Sequence, residues 1–247
     1  MRTVLITGAS RGIGAATARL AAARGWRVGI NYHRNKDAAR TLAQEIESAG
    51  GSALILGANV AEEQEVLRMY ETLDRLWGRL DGLVNNAGIL EQQMRLESMS
   101  MERWERVLRT NIIGSFLCAR EAVRRMSTKH QGSGGSIVNV SSAAARMGGP
   151  GEYIDYAVSK GGMDTFTTGL AKEVATEGIR VNGVRPGLIE TEIHASGGEP
   201  GRVQRLAHLV PMQRGGSAEE VAEAIVWLLS DEASYVTGAH LDVSGGR

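Results

Sequence analysis

Two side chains able to move a proton stand four positions apart in Tyr153-Ile-Asp-Tyr156-Ala-Val-Ser-Lys160. Residues at that spacing share a helix face one turn apart, so Tyr156 meets Lys160, whereas Tyr153 meets only Ala157. A free phenol, with a pKa near ~10, is a poor base at neutral pH. A neighbouring ammonium favours phenolate and draws the phenol toward the working range. Such a pair suits reduction of a carbonyl, which needs an acid for the developing alkoxide. It equally suits oxidation of an alcohol, which needs a base.

A second pattern opens the chain. The run Thr3-Val-Leu-Ile-Thr7 leads directly into Gly8-Ala9-Ser10-Arg11-Gly12-Ile13-Gly14 and then a helical stretch. Glycines at 8, 12 and 14 permit a tight turn and bring bare backbone close to a ligand. The helix that follows offers unpaired N–H groups and the positive end of its dipole. Strand, glycine turn and helix at the start of a βαβ chain point to a dinucleotide pyrophosphate.

The elements that must position these groups alternate along the whole chain. Strands are expected at Thr3–Thr7, Arg27–Asn31, Ala53–Leu56, Gly82–Val84, Ser136–Val140, Arg180–Val184 and His240–Val243. Amphipathic helices are expected at Gly14–Arg24, Lys36–Ala49, Glu62–Leu76, Met101–Met126, Tyr156–Thr176 and Ala218–Leu229. Apolar strands alternating with helices imply right-handed crossovers and a parallel sheet covered on both faces. The expected fold is therefore α/β: a doubly wound Rossmann fold with a seven-stranded, mostly parallel sheet. Residues 1–247 read as one dinucleotide-binding and catalytic domain, since no linker, repeat or low-complexity tract divides them. Leu188–Arg214, with Gly197-Gly198, Pro200-Gly201 and a helical patch at Arg202–Leu209, follows the C-terminal end of a strand, where ligands bind in open α/β sheets. It reads as a substrate lid.

Composition narrows the function classes. The 28 Lys and Arg balance the 28 Asp and Glu, which argues against a nucleic-acid footprint or a polybasic membrane patch. The single cysteine, Cys118, lies in an apolar run and reads as an inert core thiol, excluding an internal disulfide framework and a multi-cysteine zinc site. His194 and His208 fall in the lid without a carboxylate–histidine pattern, so no metal is expected. No window is apolar enough to span a bilayer, and no targeting segment precedes the first strand, so a cytoplasmic location is the default.

Together the glycine turn, Asn85-Asn86-Ala87-Gly88, Ser142 with Tyr156-x-x-x-Lys160, and Pro186-Gly187 resemble the short-chain dehydrogenase/reductase family over essentially the whole chain. The resemblance implies hydride transfer between a nicotinamide and a carbonyl or alcohol. It implies that Lys160 also bonds the nicotinamide ribose, and that Ser142 polarises the substrate oxygen, with Ser141 as competitor. Relatives usually space serine and tyrosine more closely than the 14 positions between Ser142 and Tyr156, so Gly148–Asp155 is expected to hold a one-residue insertion. Asn111 matches a helix asparagine that holds a water in a proton relay to the lysine. Asn59 and Val60 are expected near adenine. Asn86, Ala87 and Gly88 are expected near the adenosine ribose, although bracing between strands explains the asparagines equally well. Pro186 and Gly187 would back the nicotinamide, with Ile189 and Thr191 on its carboxamide.

The second strand ends Ile30-Asn31-Tyr32-His33-Arg34, with no acid before Asp37. A carboxylate there would hold a ribose diol and repel a 2′-phosphate. Its absence, with Arg11, His33 and Arg34 nearby, favours NADP over NAD. The expected partner is a small carbonyl or alcohol. Glu177 occupies the turn where a carrier-protein reductase would need a cation, although Arg120, Arg124, Arg125 and Lys129 offer a basic helical face. Family resemblance also implies a homodimer or homotetramer, paired through the helices at Met101–Met126 and Tyr156–Thr176.

Overall fold

The computed structural model describes residues Met1–Arg247. Seven strands form one parallel sheet in the order β3-β2-β1-β4-β5-β6-β7. They are β1 (Thr3–Ile6), β2 (Arg27–Tyr32), β3 (Ser52–Gly57), β4 (Gly82–Asn85), β5 (Gly135–Val140), β6 (Ile179–Pro186) and β7 (His240–Val243). The chain winds outward from β1 in one direction, then returns to β4 and continues in the other. That reversal opens a crevice at the C-terminal ends of β1 and β4.

Alternation along each strand divides the apolar residues between two cores. Val4 and Ile6 of β1 face α1 (Gly12–Ala23), α2 (Lys36–Ser48) and, from the far end of the chain, Ala218–Leu229. Leu5, between them, faces α3 (Glu63–Trp77) and the helices that follow β4 and β5. Cys118 is fully buried in the second core, as expected.

Between β4 and β5 the expected single helix is a continuous rod with an irregular centre. It comprises α4 (Met101–Leu108), a π turn (Arg109–Ile113) and α5 (Gly114–Met126). The Gly114 N–H reaches back five residues to the Arg109 carbonyl. Hydrophobic periodicity does not reveal one inserted residue, because both halves keep their own apolar stripe. After β5 come the short α6 (Ala144–Met147) and the long α7 (Ile154–Val174).

The 188–214 segment is more structured than its glycines suggest. It carries α8 (Ile193–Ser196), which the sequence did not announce, and α9 (Arg202–Leu206), which continues into a 3-10 turn at Ala207–Leu209. Leu188, Val203, Leu206 and Val210 form a small apolar cluster of their own beneath it. The final helix, α10 (Ala218–Leu229), starts with a reciprocal capping box between Ser217 and Glu220. No helix is long and apolar enough to cross a membrane.

A buried polar chain fixes α7 to the middle of the sheet. Asn85 and Asn139 are register partners on β4 and β5, and the Asn85 amide donates to Asn139 Oδ1 at 2.9 Å. The Asn139 amide in turn donates to Thr167 Oγ1 on α7 at 2.9 Å. Asn139 is fully buried, so Asn139→Ala strands a partner on each side and is expected to cost about 2–4 kcal/mol in denaturant unfolding. A loss well under about 1 kcal/mol would show that Asn85 and Thr167 find other partners.

Candidate active site

At the first turn, Gly8 and Gly12 both have positive φ, 61° and 54°. A Cβ on Gly8 would fall 2.9 Å from Ala87 Cα, and one on Gly14 2.6 Å from the Asn86 amide nitrogen. The turn is therefore pressed against the end of β4, a packing only glycine allows. Asn31 clamps it: its carbonyl accepts from Ala9 N at 2.8 Å, and its side-chain oxygen accepts from Gly8 N at 3.1 Å. Its amide donates to the Leu56 and Ala58 carbonyls. Sequence reasoning passed over Asn31 because an asparagine in a strand carries no signature of its own.

The N–H groups of Ser10, Arg11, Gly12, Ile13 and Gly14 have no acceptor within the chain; the first to find one is Ala15, on the Arg11 carbonyl. Five aligned donors at a helix N-terminus match what a pyrophosphate requires. Arg11 is exposed at the helix cap, His33 and Arg34 are exposed at the end of β2, and neither arginine has an ion-pair partner. Asp37, the first acid after β2 along the chain, pairs with Arg40.

Several residues expected at the cofactor also brace the chain. The Asn86 amide donates to the carbonyls of Thr7 and Gly8, while Thr7 Oγ1 accepts from the N–H of Asn86 and of Ala87. Asn59 Oδ1, expected to face adenine, accepts from Ala61 N at 3.1 Å in a local turn, and Asn59 N donates to Glu65. Val60 is buried against Gly114.

Around α7 the geometry separates the two serines and the two tyrosines. Ser141 is buried and its hydroxyl donates to the Lys160 carbonyl at 3.0 Å. Ser142 lines the cleft with Tyr156, and its hydroxyl oxygen accepts from Ala144 N at 3.1 Å. Tyr153 is the N-cap residue of α7, outside the helix, and its hydroxyl accepts from the Gln93 amide. Tyr156 lies within the helix, with Lys160 Nζ 5.6 Å from its ring centre. Lys160 is buried and donates to the Val140 carbonyl at 2.7 Å.

The electrostatics differ from the expectation. Burial pushes the Tyr156 phenol up to about 12, opposed only by the Ser142 hydrogen bond. Burial likewise pushes Lys160 down to about 8, with the Asp164 carboxylate acting in the opposite sense. The Lys160 ammonium is turned onto a backbone carbonyl, and desolvation dominates at the phenol.

Asn111 is buried in the π turn. Its amide donates to the Ile89 carbonyl and to Ser159 Oγ, and its side-chain oxygen accepts from Ile89 N at 2.8 Å. The side chain is thus spent on bracing. A Cβ on Gly88 would fall 3.4 Å from Asn111 Oδ1 and 3.5 Å from Lys160 Nζ, so this turn packs directly beside both side chains.

Pro186, Gly187, Ile189 and Thr191 line the same cleft, which measures about 960 Å³ and opens to solvent. Thr191 Cγ2 would lie 3.4 Å from a Cβ on Gly12, so the segment after β6 reaches across to the glycine turn. Arg202 of α9 also lines the cleft; it stacks on Tyr153 and pairs with Glu152 and Glu199. Sequence reading missed this contact, since Arg202 and Glu152 lie fifty positions apart. The free amides, the bare turn and the cleft beside Tyr156 together fit an elongated dinucleotide.

Comparison with known proteins agrees. A family model described as Enoyl-(Acyl carrier protein) reductase matches residues 8–247. The Uncharacterized oxidoreductase YgfF of Escherichia coli K12 is 58% identical, covering 100% of both chains. A 3-oxoacyl-[acyl-carrier-protein] reductase of Synechocystis is 40% identical over 99% of this chain and 96% of its own. Glucose 1-dehydrogenase 2 of Bacillus subtilis is 37% identical over 99% and 94%. Among solved structures, a doubly substituted variant of a Serratia marcescens short-chain dehydrogenase/reductase superposes with a TM-score of 0.91 at 31% identity, covering 99% and 97%. By sequence, fold and site, the chain belongs to the short-chain dehydrogenase/reductase family of nicotinamide-dependent oxidoreductases.

Proposed function

We propose that the protein is an NADP-dependent oxidoreductase acting on a small carbonyl or secondary alcohol, with Ser142, Tyr156, Lys160 and Asn111 as its working residues. The observation that carries this reading is that Ser142, Tyr156 and buried Lys160 line one cleft at the C-terminal edge of the sheet. When bound, the nicotinamide supplies or accepts the hydride. Tyr156 gives the proton to the substrate oxygen, or takes it in the reverse direction. Ser142 donates a hydrogen bond to the same oxygen and holds it in register. Lys160 holds the nicotinamide ribose, and Asn111 ties the Ile89 backbone to Ser159, one position before that lysine.

Two unpaired arginines at the adenosine end, Arg11 and Arg34, support NADP over NAD. The small-substrate reading is favoured over a carrier-protein partner by the state of the helical arginines. Arg120 pairs with Glu63 and Glu121, Arg124 with Glu121, and Arg125 with Asp74 and Glu121. Glu177, read from sequence as an acid at the turn, is buried against Ser127 and Lys129. Residues 1–247 act as one unit in this reading, with 188–214 as its lid. Exposed Ile113 and Phe116 on the α4–α5 rod, together with Val158 on α7, support pairing of two copies through that face.

Tyr156→Phe is expected to lower turnover by about 100-fold or more while NADP binding persists. Tyr153→Phe as the worse lesion would reverse the assignment. Arg34→Asp combined with Arg11→Ala is expected to move preference toward NAD, read as the ratio of kcat/KM for the two cofactors; an unchanged ratio would refute the phosphate contact.

The Lys160 pKa also has a stability consequence. Folding lowers it from 10.5 to about 8, so between those values the unfolded chain binds the extra proton and stability rises with pH. Wild type is therefore expected to gain about 3 kcal/mol on Lys160→Met between about pH 7.5 and about pH 10.5 in denaturant titrations. A flat difference would mean that the ammonium is not buried as described.

A further inference from the structure

The start of α7 has little to hold it from its own chain. Between Ser142 and Tyr156 the backbone passes through Gly148, Gly149 and Gly151, all at positive φ. A segment with three such glycines cannot by itself fix the height of the phenol over the cleft.

We propose that the ion pair between Arg103 and Asp155 is the positioning device for Tyr156, a reading that rests on Tyr156 being the proton-transfer group. It is the most deeply buried ion pair in the chain, with side chains 6% and 2% exposed. Arg103 grips both carboxylate oxygens, Nε to Oδ2 at 2.6 Å and Nη2 to Oδ1 at 3.2 Å. Asp155 Oδ1 also accepts from the Tyr156 N–H at 2.9 Å, so the carboxylate bonds the backbone of the reactive residue itself. The third arm of Arg103, Nη1, donates to the Gln92 carbonyl at 2.5 Å. Met94 N donates to the Glu152 carbonyl at 3.0 Å, stitching the same loop to the approach to α7. One guanidinium thus ties α4, the loop after β4 and the first turn of α7 at a single point.

Stability alone does not account for such a pair. Removing two charges from water costs as much as their attraction returns, and apolar residues of similar size often serve stability as well or better. What the pair supplies is direction. A planar fork on a carboxylate fixes two distances and a plane, and misplacing a reacting group by about 1 Å can cost about 100-fold in rate.

The test compares variants of the full chain, with NADPH and diacetyl as the carbonyl probe and 13Cζ-labelled tyrosine for NMR. Asp155→Ala and Arg103→Met are each expected to lower kcat by about 10- to 100-fold, with the NADPH dissociation constant changed by less than about 3-fold. Asp155→Asn, which keeps an acceptor for the Tyr156 N–H, is expected to lose less. The double variant Arg103→Met, Asp155→Leu restores an apolar contact and is expected to melt at or above wild type while remaining slow. In each slow variant the Tyr156 13Cζ resonance, assigned by its loss in Tyr156→Phe, is expected to move or split; this readout decides even if diacetyl is not turned over. Folded variants that keep both the rate and the resonance would overturn the proposal. So would a double variant whose rate returns along with its melting temperature. If instead Tyr156→Phe stays active, it is the proton-transfer reading that fails.

Discussion

The bond from Lys160 Nζ to the Val140 carbonyl joins the helix that carries the phenol to the strand that leads to Ser142. One residue on, the Ser141 hydroxyl returns a bond to the Lys160 carbonyl, so strand and helix hold each other in both directions. An ammonium removed from water must keep a strong acceptor, and a backbone carbonyl at the C-terminal end of a parallel strand is a rigid one. The neighbouring choices follow from that demand. Gly88 packs beside both Lys160 Nζ and Asn111 Oδ1. Ser159, one position before the lysine, receives the Asn111 amide and ties the π turn to the same stretch of α7.

Much of this architecture is legible in the chain because it rests on local periodicity. Val4, Leu5 and Ile6 alternate between two cores, and that alternation identifies a strand covered on both faces. The choice of Tyr156 over Tyr153 followed from helix spacing, and the structure adds a reason: Tyr153 precedes the helix and its hydroxyl is engaged by Gln93. Ser142 is the serine expected from the sequence, with Ser141 as competitor, and the packing of α7 encloses the Ser141 hydroxyl against the Lys160 carbonyl. Asn59 is expected near adenine and Asn111 in a water relay, and each side chain also satisfies backbone groups nearby. Short polar side chains beside a turn compete for that backbone, and sequence does not record who wins. Arg103 and Asp155 lie 52 positions apart, and an arginine in an amphipathic helix reads as solvated. Such pairs emerge only when the topology brings their elements together.

The charge pattern also gains meaning from what is already engaged. Zero net charge in the sequence becomes a surface on which many arginines sit beside a carboxylate, including the helical row at 120, 124 and 125. Arg11 at the glycine turn and Arg34 at the end of β2 are among the exposed cations without such a partner, as are Arg68 and Arg75 on α3.

The two perturbed groups bear on the direction of the proposed chemistry. With its phenol pushed up to about 12, Tyr156 is protonated at neutral pH, and the desolvation that holds it there penalises phenolate. A protonated phenol is already the form that a developing alkoxide needs, so carbonyl reduction starts from the state the site prefers. Alcohol oxidation must first create phenolate against that desolvation. Lys160, at about 8, still carries its proton for most of the time at neutral pH. The arrangement is therefore asymmetric: it donates a proton readily and recovers one only when a further positive charge, or a higher pH, offsets the cost of the buried anion.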